Sequence, residues 1–90
     1  MSKAQADPAE LRRFAQDLSR FNKELEGLFT SIKGRLLALE QTWRDNEQRK
    51  FTEAFDQTAK GISVFLDNSH QHVQMLNKKA TLLEEYLKQR

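Results

Sequence analysis

The chain has 90 residues, and a chain of this length forms one domain that buries only about 60–65% of the surface its unfolded form exposes. Its composition, 38% hydrophobic and 31% charged, is that of a folded protein with a charged surface and excludes a disordered chain. The net charge is only +2 with interspersed signs, which disfavours nucleic acid as a partner, and the absence of cysteine excludes disulfides and sulfur-ligated metals.

The first predicted element is a long helix that begins at Asp7-Pro8. Asp7 can cap a helix and Pro8 suits the first helical position, so residues 1–6 are predicted to be a flexible N-terminal tail. The helix spans about residues 8–42, because apolar residues recur there in steps of three and four. This first stripe comprises Leu11, Phe14, Leu18, Phe21, Leu25, Leu28, Ile32, Leu36, Leu39 and Trp43.

A turn is predicted at about residues 43–46, where polar residues interrupt the apolar pattern. Asp45 is placed to cap a second helix, which spans about residues 46–88. Its stripe again has helical spacing and comprises Phe51, Phe55, Ile62, Phe65, Leu66, Val73, Leu76, Ala80, Leu83 and Leu87.

The two predicted helices measure about 52 and 64 Å at 1.5 Å per residue, and a short connection forces them into an antiparallel hairpin. Residues 7–90 thus form a single helical-hairpin domain. Two helices in contact enclose little, whereas four enclose a core. The predicted fold is therefore all-α, an antiparallel two-helix hairpin that pairs into a four-helix bundle as a dimer. Its bundle core is predicted to contain Phe14, Leu18, Phe21, Leu25, Ile32, Phe55, Ile62 and Phe65.

A second apolar line lies off the main stripe of helix two and is the candidate partner surface. The alternative interpretation is that these side chains are scattered surface positions, as in many soluble proteins. The line comprises Val64, Met75, Leu82 and Tyr86.

The sequence contains no pattern typical of catalysis, and no catalytic, metal or cofactor site is predicted. His70 and His72, the two histidines, point about 200° apart on a helix and cannot chelate one metal within one chain. No run of about 18 apolar residues exists to span a membrane. The N-terminus has no apolar region typical of a general-secretory signal peptide. The protein is expected to be cytoplasmic, or exported by a route that recognises folded helices.

The turn carries a motif with a family resemblance. Trp43-Arg44-Asp45 followed by Phe51 in a chain of this length resembles the WXG-type small proteins of type VII secretion, the early-secreted-antigen superfamily. The resemblance covers residues 8–90. It implies a non-catalytic hairpin that pairs with itself, with a sister hairpin or with a larger effector, and that engages a secretion ATPase. It also implies that Trp43, Asp45 and Phe51 form the hairpin tip, where Phe51 packs under the indole.

The sequence departs from the family pattern at two places. Asp45 stands at the family's glycine position, and Tyr86 is followed four residues later by Arg90 where many actinobacterial members have an acidic residue. The chain could thus be an exported substrate or an adaptor that stays in the cytoplasm. Two alternatives remain open: a structural coiled-coil adaptor unrelated to secretion, and a nucleic-acid-binding helical protein.

Overall fold

The computed structural model describes residues 6–89 as two helices, α1 (Pro8–Leu39) and α2 (Asn46–Lys88), joined by a turn at residues 40–45. The predicted all-α hairpin is confirmed, and the predicted tail at 1–6 lies, except for Ala6, outside the described residues. The molecule is a rod of 67 × 18 × 16 Å with a radius of gyration of 20.1 Å. A compact domain of this length would have a radius of gyration of about 12 Å. The hairpin therefore has a large surface for its mass.

Both helices begin where the sequence predicts them, because each start has an aspartate cap. The Asp7 carboxylate accepts a hydrogen bond from the Ala9 amide at 2.9 Å. The Asp45 carboxylate accepts one from the Gln48 amide at 3.0 Å. Each cap satisfies one of the amides that the first turn of a helix leaves without a partner.

Helix α1 ends at Leu39, three residues before the predicted end at 42, so the turn occupies 40–45 and not 43–46. The helix tightens there, since the Thr42 amide donates to the Leu39 carbonyl at 3.0 Å, an i to i−3 bond typical of a 3₁₀ turn. The Trp43 amide also donates to Leu39, and the Arg44 guanidinium donates to the Glu40 carbonyl. These donors satisfy the carbonyls of Leu39 and Glu40, so the helix can stop without a glycine.

The two helices meet along a seam that repeats every seven residues. Each helix is described in the heptad notation abcdefg, in which the a and d residues lie in the seam. On α1 the a positions recur every seven residues from 8 to 43, and all are buried or half-buried. The g positions recur from 14 to 42, and all are exposed. This 3.5-residue period is that of a left-handed coiled coil. On α1 the a residues include Ala15, Asn22, Phe29 and Leu36; on α2 the a residues include Leu66, Val73 and Ala80 and the d residues include Phe55, Ile62, Ser69 and Leu76.

The middle of the seam contains a buried polar pair. The Ser69 hydroxyl donates to the Asn22 carboxamide oxygen at 2.9 Å, and both side chains are buried. Within residues 6–89 the Asn22 Nδ2 atom has no hydrogen-bond partner. The fully buried alanines Ala15 and Ala80 lie toward the end of the rod away from the turn, which we call the open end. Small side chains at these positions allow the helices to approach closely.

Candidate docking face and hairpin tip

The hairpin tip brings together the three residues of the predicted turn motif. The ring centroids of Trp43 and Phe51 lie 6.4 Å apart with the rings tilted by 40°, as expected for aromatic residues in contact. Asp45 has φ −96° and ψ −173°, and no residue between 6 and 89 has a positive φ. A non-glycine residue therefore fits this turn without strain, so Asp45 can replace the family's glycine and serve as the helix cap.

An aromatic row runs from the tip into the hairpin. Phe51 lies 6.2 Å from Phe55, and Phe55 stacks on Phe29 at 4.8 Å with an interplanar angle of 15°. Beside this row is an apolar groove of about 270 Å³. It is lined by Ile32, Arg35, Leu36, Leu39, Trp43, Phe51 and Phe55.

One long side of the rod is apolar and exposed. It is formed by the g positions of both helices, which face each other along one edge of the seam, together with neighbouring c and d positions. Phe21 of α1 and Phe65 of α2 meet there edge to face, with centroids 6.2 Å apart. We call this side the apolar face. It comprises Phe14, Phe21, Leu28, Ile32, Leu39, Phe51, Phe65, Met75, Leu82 and Tyr86, all at least 43% exposed.

The predicted bundle-core residues lie at the border between this face and the seam. Four of them are half-buried, namely Leu18, Leu25, Phe55 and Ile62, and none is fully buried in the single chain. The other four, Phe14, Phe21, Ile32 and Phe65, are exposed. The hairpin's own buried apolar residues are instead Ala15, Leu36, Leu66 and Ala80. In the single chain Ala15 and Asn22 therefore occupy the seam beside Phe14 and Phe21, and the core of a bundle of two hairpins stays a prediction.

Three of the four predicted partner-surface residues border the apolar face. In the heptad frame Met75 and Leu82 occupy c positions and Tyr86 a g position, so all three belong to the apolar face. Val64 occupies an f position and lies farther out, at 60% exposure. All four residues are exposed in the single chain, and their contact with a partner stays a prediction.

The opposite side of the rod, formed by the e positions, is polar. Arg12 donates from Nε to Glu84 Oε2 at 2.9 Å and from Nη2 to Glu84 Oε1 at 2.7 Å, and Nη2 also donates to Thr81 at 2.8 Å. The hydrogen bond from Arg12 lowers the pKa of Glu84, and desolvation opposes this shift. The same hydrogen bond raises the pKa of Arg12. This clamp joins the helices at the open end, on the side away from the apolar face.

The two histidines are exposed and do not lie together in a site. The His72 ring nitrogen Nδ1 lies 2.8 Å from the Asn68 carbonyl of its own helix. No cluster of three or more metal-ligating side chains occurs between residues 6 and 89. Within the same range, neither helix combines the length and apolar character required to cross a membrane.

The apolar spacing in the sequence did not reveal the buried pair of Asn22 and Ser69. The signal that could have revealed it is the regular seven-residue spacing of Ala15, Asn22, Phe29 and Leu36, which places a polar residue inside an otherwise apolar column. A single buried Asn in such a column is a known determinant of register in coiled coils. Hydrophobicity alone favours the neighbouring phenylalanines and obscures this column.

The chain is similar to a known protein family and to solved structures. The family model WXG100, described as proteins of 100 residues with WXG, matches residues 3–86. Solved structures of the secreted protein EsxB from Bacillus anthracis str. Sterne are similar in fold. A variant superposes with a TM-score of 0.78 at 21% identity, covering 93% of this chain and 97% of that chain. The wild type gives 0.76 at 22% identity, covering 90% and 87%. No curated protein matches the sequence.

Proposed function

The chain belongs to the WXG100 family, and from this membership and its apolar face we propose that it is a non-catalytic interaction module that docks against another helical hairpin. The observation that carries the proposal is the one-sided distribution of large apolar side chains. Phe21, Leu28 and Phe65 are 50%, 70% and 43% exposed in the single chain. Monomeric proteins rarely expose a continuous apolar patch of this extent, and such patches mark interfaces.

The size of the exposed surface supports the same proposal. The chain exposes 7431 Å², compared with about 5,500 Å² for a compact protein of its mass. A rod of 67 by 18 Å presents a face of roughly 1,200 Å². Two such faces in contact would bury on the order of 2,400 Å², which is in the range of obligate helical dimers. Covering the apolar face with a second hairpin would complete a four-helix bundle.

The polar side of the rod supports a complex that closes at two hairpins. The e positions carry the half-buried Arg12–Glu84 clamp. They also carry charged residues that are exposed to solvent, such as Glu26, Lys33 and Asp56. Among residues 6–89, most of the large exposed apolar side chains therefore lie on one side of the hairpin. A bundle of two hairpins would present its polar sides outward.

The experiment compares two leucines of α1 by sedimentation velocity. Leu28 lies on the apolar face at 70% exposure, and Leu37 lies on the outer side at 55%. Leu28→Asp is expected to prevent pairing, whereas Leu37→Asp, the matched control, is expected to pair like the unmodified chain. Neither change removes a side chain that is buried in the single chain, and circular dichroism recorded in parallel separates a loss of pairing from a loss of helix. Equal pairing by the two variants would contradict docking through the apolar face.

We also propose that the protein works in type VII secretion, as an exported substrate or as a cytoplasmic partner of one. Family membership and the likeness to secreted EsxB support this role. The test is to follow the tagged chain in the cells and in the medium of its native host, with and without the secretion ATPase. Loss of the chain from the medium on deletion of the ATPase supports a substrate. Its co-purification from the cytoplasm with the ATPase or an effector hairpin supports a partner.

A substitution at the hairpin tip distinguishes the secretion role from the alternative, a structural coiled-coil adaptor unrelated to secretion. If secretion components recognise this region, Trp43→Ala should abolish their capture in a pull-down while Leu37→Asp leaves it intact. Pairing of hairpins is measured in parallel, so a loss of fold is detected. An adaptor unrelated to secretion would capture no secretion component with the unmodified chain.

A further inference from the structure

We propose that Gln48 is the positioning residue of the hairpin tip. Its carboxamide ties the two helix ends together on the polar side of the turn and thereby holds Trp43 against Phe51 on the side of the apolar face. The inference rests on the proposed recognition of the tip by secretion components, and it specifies a residue on which this recognition depends. Gln48 is only 8% exposed, so it acts through the position of Trp43 and not by contact with a partner.

Gln48 lies in a part of the seam where an apolar residue is expected. It occupies a d position of α2, seven residues before Phe55, and the same column continues with apolar residues such as Ile62 and Leu76. A buried carboxamide must find hydrogen-bond partners within the protein, because burial removes it from water. The groups that satisfy Gln48 therefore restrain the position of the first turn of α2.

The hydrogen bonds of Gln48 reach both helices and the turn. Its Nε2 atom donates to Glu40 Oε1 at 3.1 Å and to Thr52 Oγ1 at 2.9 Å. Its backbone amide donates to Asp45 Oδ1 at 3.0 Å. In a capping box the side chain at this position would return to the backbone amide of the cap residue. Here it crosses the turn to the end of α1, so one residue joins α1, the cap and α2.

The acceptor at the end of α1 is itself held in place. The Glu40 amide donates to the Leu36 carbonyl at 3.1 Å, and the Glu40 carbonyl accepts from Arg44 Nε at 3.0 Å. The Glu40 carboxylate therefore extends from a fixed backbone, and the hydrogen bond from Gln48 restrains the distance between the two helix ends. A hydrogen bond to a carboxylate is roughly twice as strong as one between neutral groups.

The aromatic contact lies on the other side of the same helix ends. Gln48 and Glu40 border a groove on the polar side of the tip, whereas Trp43 and Phe51 line the apolar groove. Phe51 follows Gln48 by three residues, a rise of about 4.5 Å along one helical turn, so a shift of this turn moves both side chains together. Apolar contact is non-directional and would allow the Trp43 ring several positions on Phe51. The hydrogen bonds of Gln48 are directional and select one of them.

These side-chain contacts take the place of a backbone motif. Helices commonly end in a residue of left-handed conformation, which satisfies the last carbonyls. No residue between 6 and 89 has a positive φ. The side chains of Gln48 and Arg44 connect the two helix ends instead. Removing the Gln48 carboxamide should loosen the turn, whereas the seam beyond it keeps its own apolar contacts.

The test replaces Gln48 by methionine, which has a similar length and suits an apolar seam but donates no hydrogen bond. The chain contains one tryptophan, so the fluorescence of Trp43 reports on the tip alone. Gln48→Met is expected to shift the Trp43 emission to longer wavelength and to increase its quenching by acrylamide, at an unchanged urea midpoint. Gln57→Met, the same change at an exposed position of α2, is the matched control and should leave both signals unchanged.

Substitution of the acceptor tests the same hydrogen bond from α1. Glu40→Ala should change the Trp43 fluorescence as Gln48→Met does, whereas Glu40→Gln, whose side-chain oxygen can still accept, should keep the signal of the unmodified chain. Loss of a hydrogen bond to a charged group corresponds to a change of about ten-fold in an equilibrium constant. Capture of the secretion ATPase in the pull-down should therefore fall about ten-fold for Gln48→Met and Glu40→Ala and remain for the two conservative variants, Gln57→Met and Glu40→Gln.

The outcomes separate this inference from the proposed function. Unchanged Trp43 fluorescence in Gln48→Met would overturn the positioning role, even if Trp43→Ala abolishes capture. A changed fluorescence with undiminished capture, in a chain whose capture requires Trp43, would also overturn it, because recognition would then not depend on the position of the ring. If Trp43→Ala leaves capture intact, the proposed recognition at the tip fails, and a changed fluorescence in Gln48→Met would still support the effect of Gln48 on Trp43.

Discussion

The buried polar pair in the seam allows the sharpest test of the packing. Asn22 is 1% exposed, accepts one hydrogen bond from Ser69, and has an unpartnered Nδ2 atom within residues 6–89. Ser69→Ala removes the hydroxyl donor and leaves the buried carboxamide oxygen of Asn22 without this hydrogen bond. Asn22→Leu removes the carboxamide itself and fills its place with apolar volume. The two substitutions delete the same hydrogen bond but leave different groups behind, so their effects on the free energy of unfolding should differ in sign.

Leaving a buried polar group unsatisfied costs about 1–3 kcal/mol, so Ser69→Ala should lower the free energy of unfolding by that amount. For a chain of this length each kcal/mol corresponds to a shift of about 4–8 °C in Tm. Asn22→Leu leaves only the Ser69 hydroxyl, which can turn to a carbonyl one turn back in its own helix. This variant should be at least as stable as the unmodified chain. In the double variant Asn22→Leu/Ser69→Ala, the cost of Ser69→Ala should disappear.

The assay is thermal and urea unfolding followed by circular dichroism, at one fixed protein concentration because pairing couples stability to concentration. Ser63→Ala is the matched control, since Ser63 is exposed on the same helix. A loss for Ser69→Ala no larger than that of Ser63→Ala would show that the hydrogen bond contributes little. Equal losses for Ser69→Ala in the presence and absence of Asn22 would refute the coupling between the two side chains.

Three further predictions use the same unfolding measurements. Asp45→Ala should lower stability by about 1 kcal/mol, whereas Asp45→Gly should lower it by only a few tenths, because glycine is itself a tolerated cap; equal losses would argue against the capping role. Gly27→Ala and Gly34→Ala should each raise stability by about 0.5–1 kcal/mol, since a Cβ meets nothing within 4 Å at either position; a loss would indicate a close contact there. The lowered pKa of Glu84 stabilises the fold above the carboxyl's unfolded pKa, and this contribution disappears as pH falls through the folded pKa. Glu84→Gln should therefore be less stable than the unmodified chain at pH 7 and converge with it in acid; a constant difference would contradict the Arg12 clamp.

The sequence predicts the helix starts well because their causes are local. Asp7 and Asp45 cap the amides just after them, and the helices begin at Pro8 and Asn46, within one residue of the prediction. The end of α1 was harder to predict from the sequence. Its position at Leu39 depends on the Thr42 and Trp43 amides folding back onto one carbonyl, and the apolar spacing that continues to Trp43 gives no sign of that tightening.

The seam was harder to predict from sequence for a different physical reason. Adjacent residues on a helix point about 100° apart, so a wide apolar stripe includes two columns that could both face the partner helix. Hydrophobicity favours Phe14 and Phe21, whereas the structure buries Ala15 and Asn22. The choice depends on how closely the second helix approaches, which is a property of the pair of helices. The sequence of one helix does not contain it.

The distribution of large and small side chains indicates that the stable folded unit of this protein is a pair of hairpins. A hairpin that had to be stable alone would place most of its phenylalanines in its seam, where each fully buried large apolar side chain contributes about 1.5–3 kcal/mol. Here two of the six, Phe29 and Phe55, lie in the seam with two fully buried alanines and an Asn22–Ser69 pair, while Phe14, Phe21 and Phe65 remain 56%, 50% and 43% exposed. Small side chains bring the two helices close together, and this close approach presents the aromatic residues as one continuous surface. Burial of this surface against a partner would be favourable, so association should stabilise the folded chain. Folding and pairing should therefore be coupled, and the free energy of unfolding should rise with protein concentration.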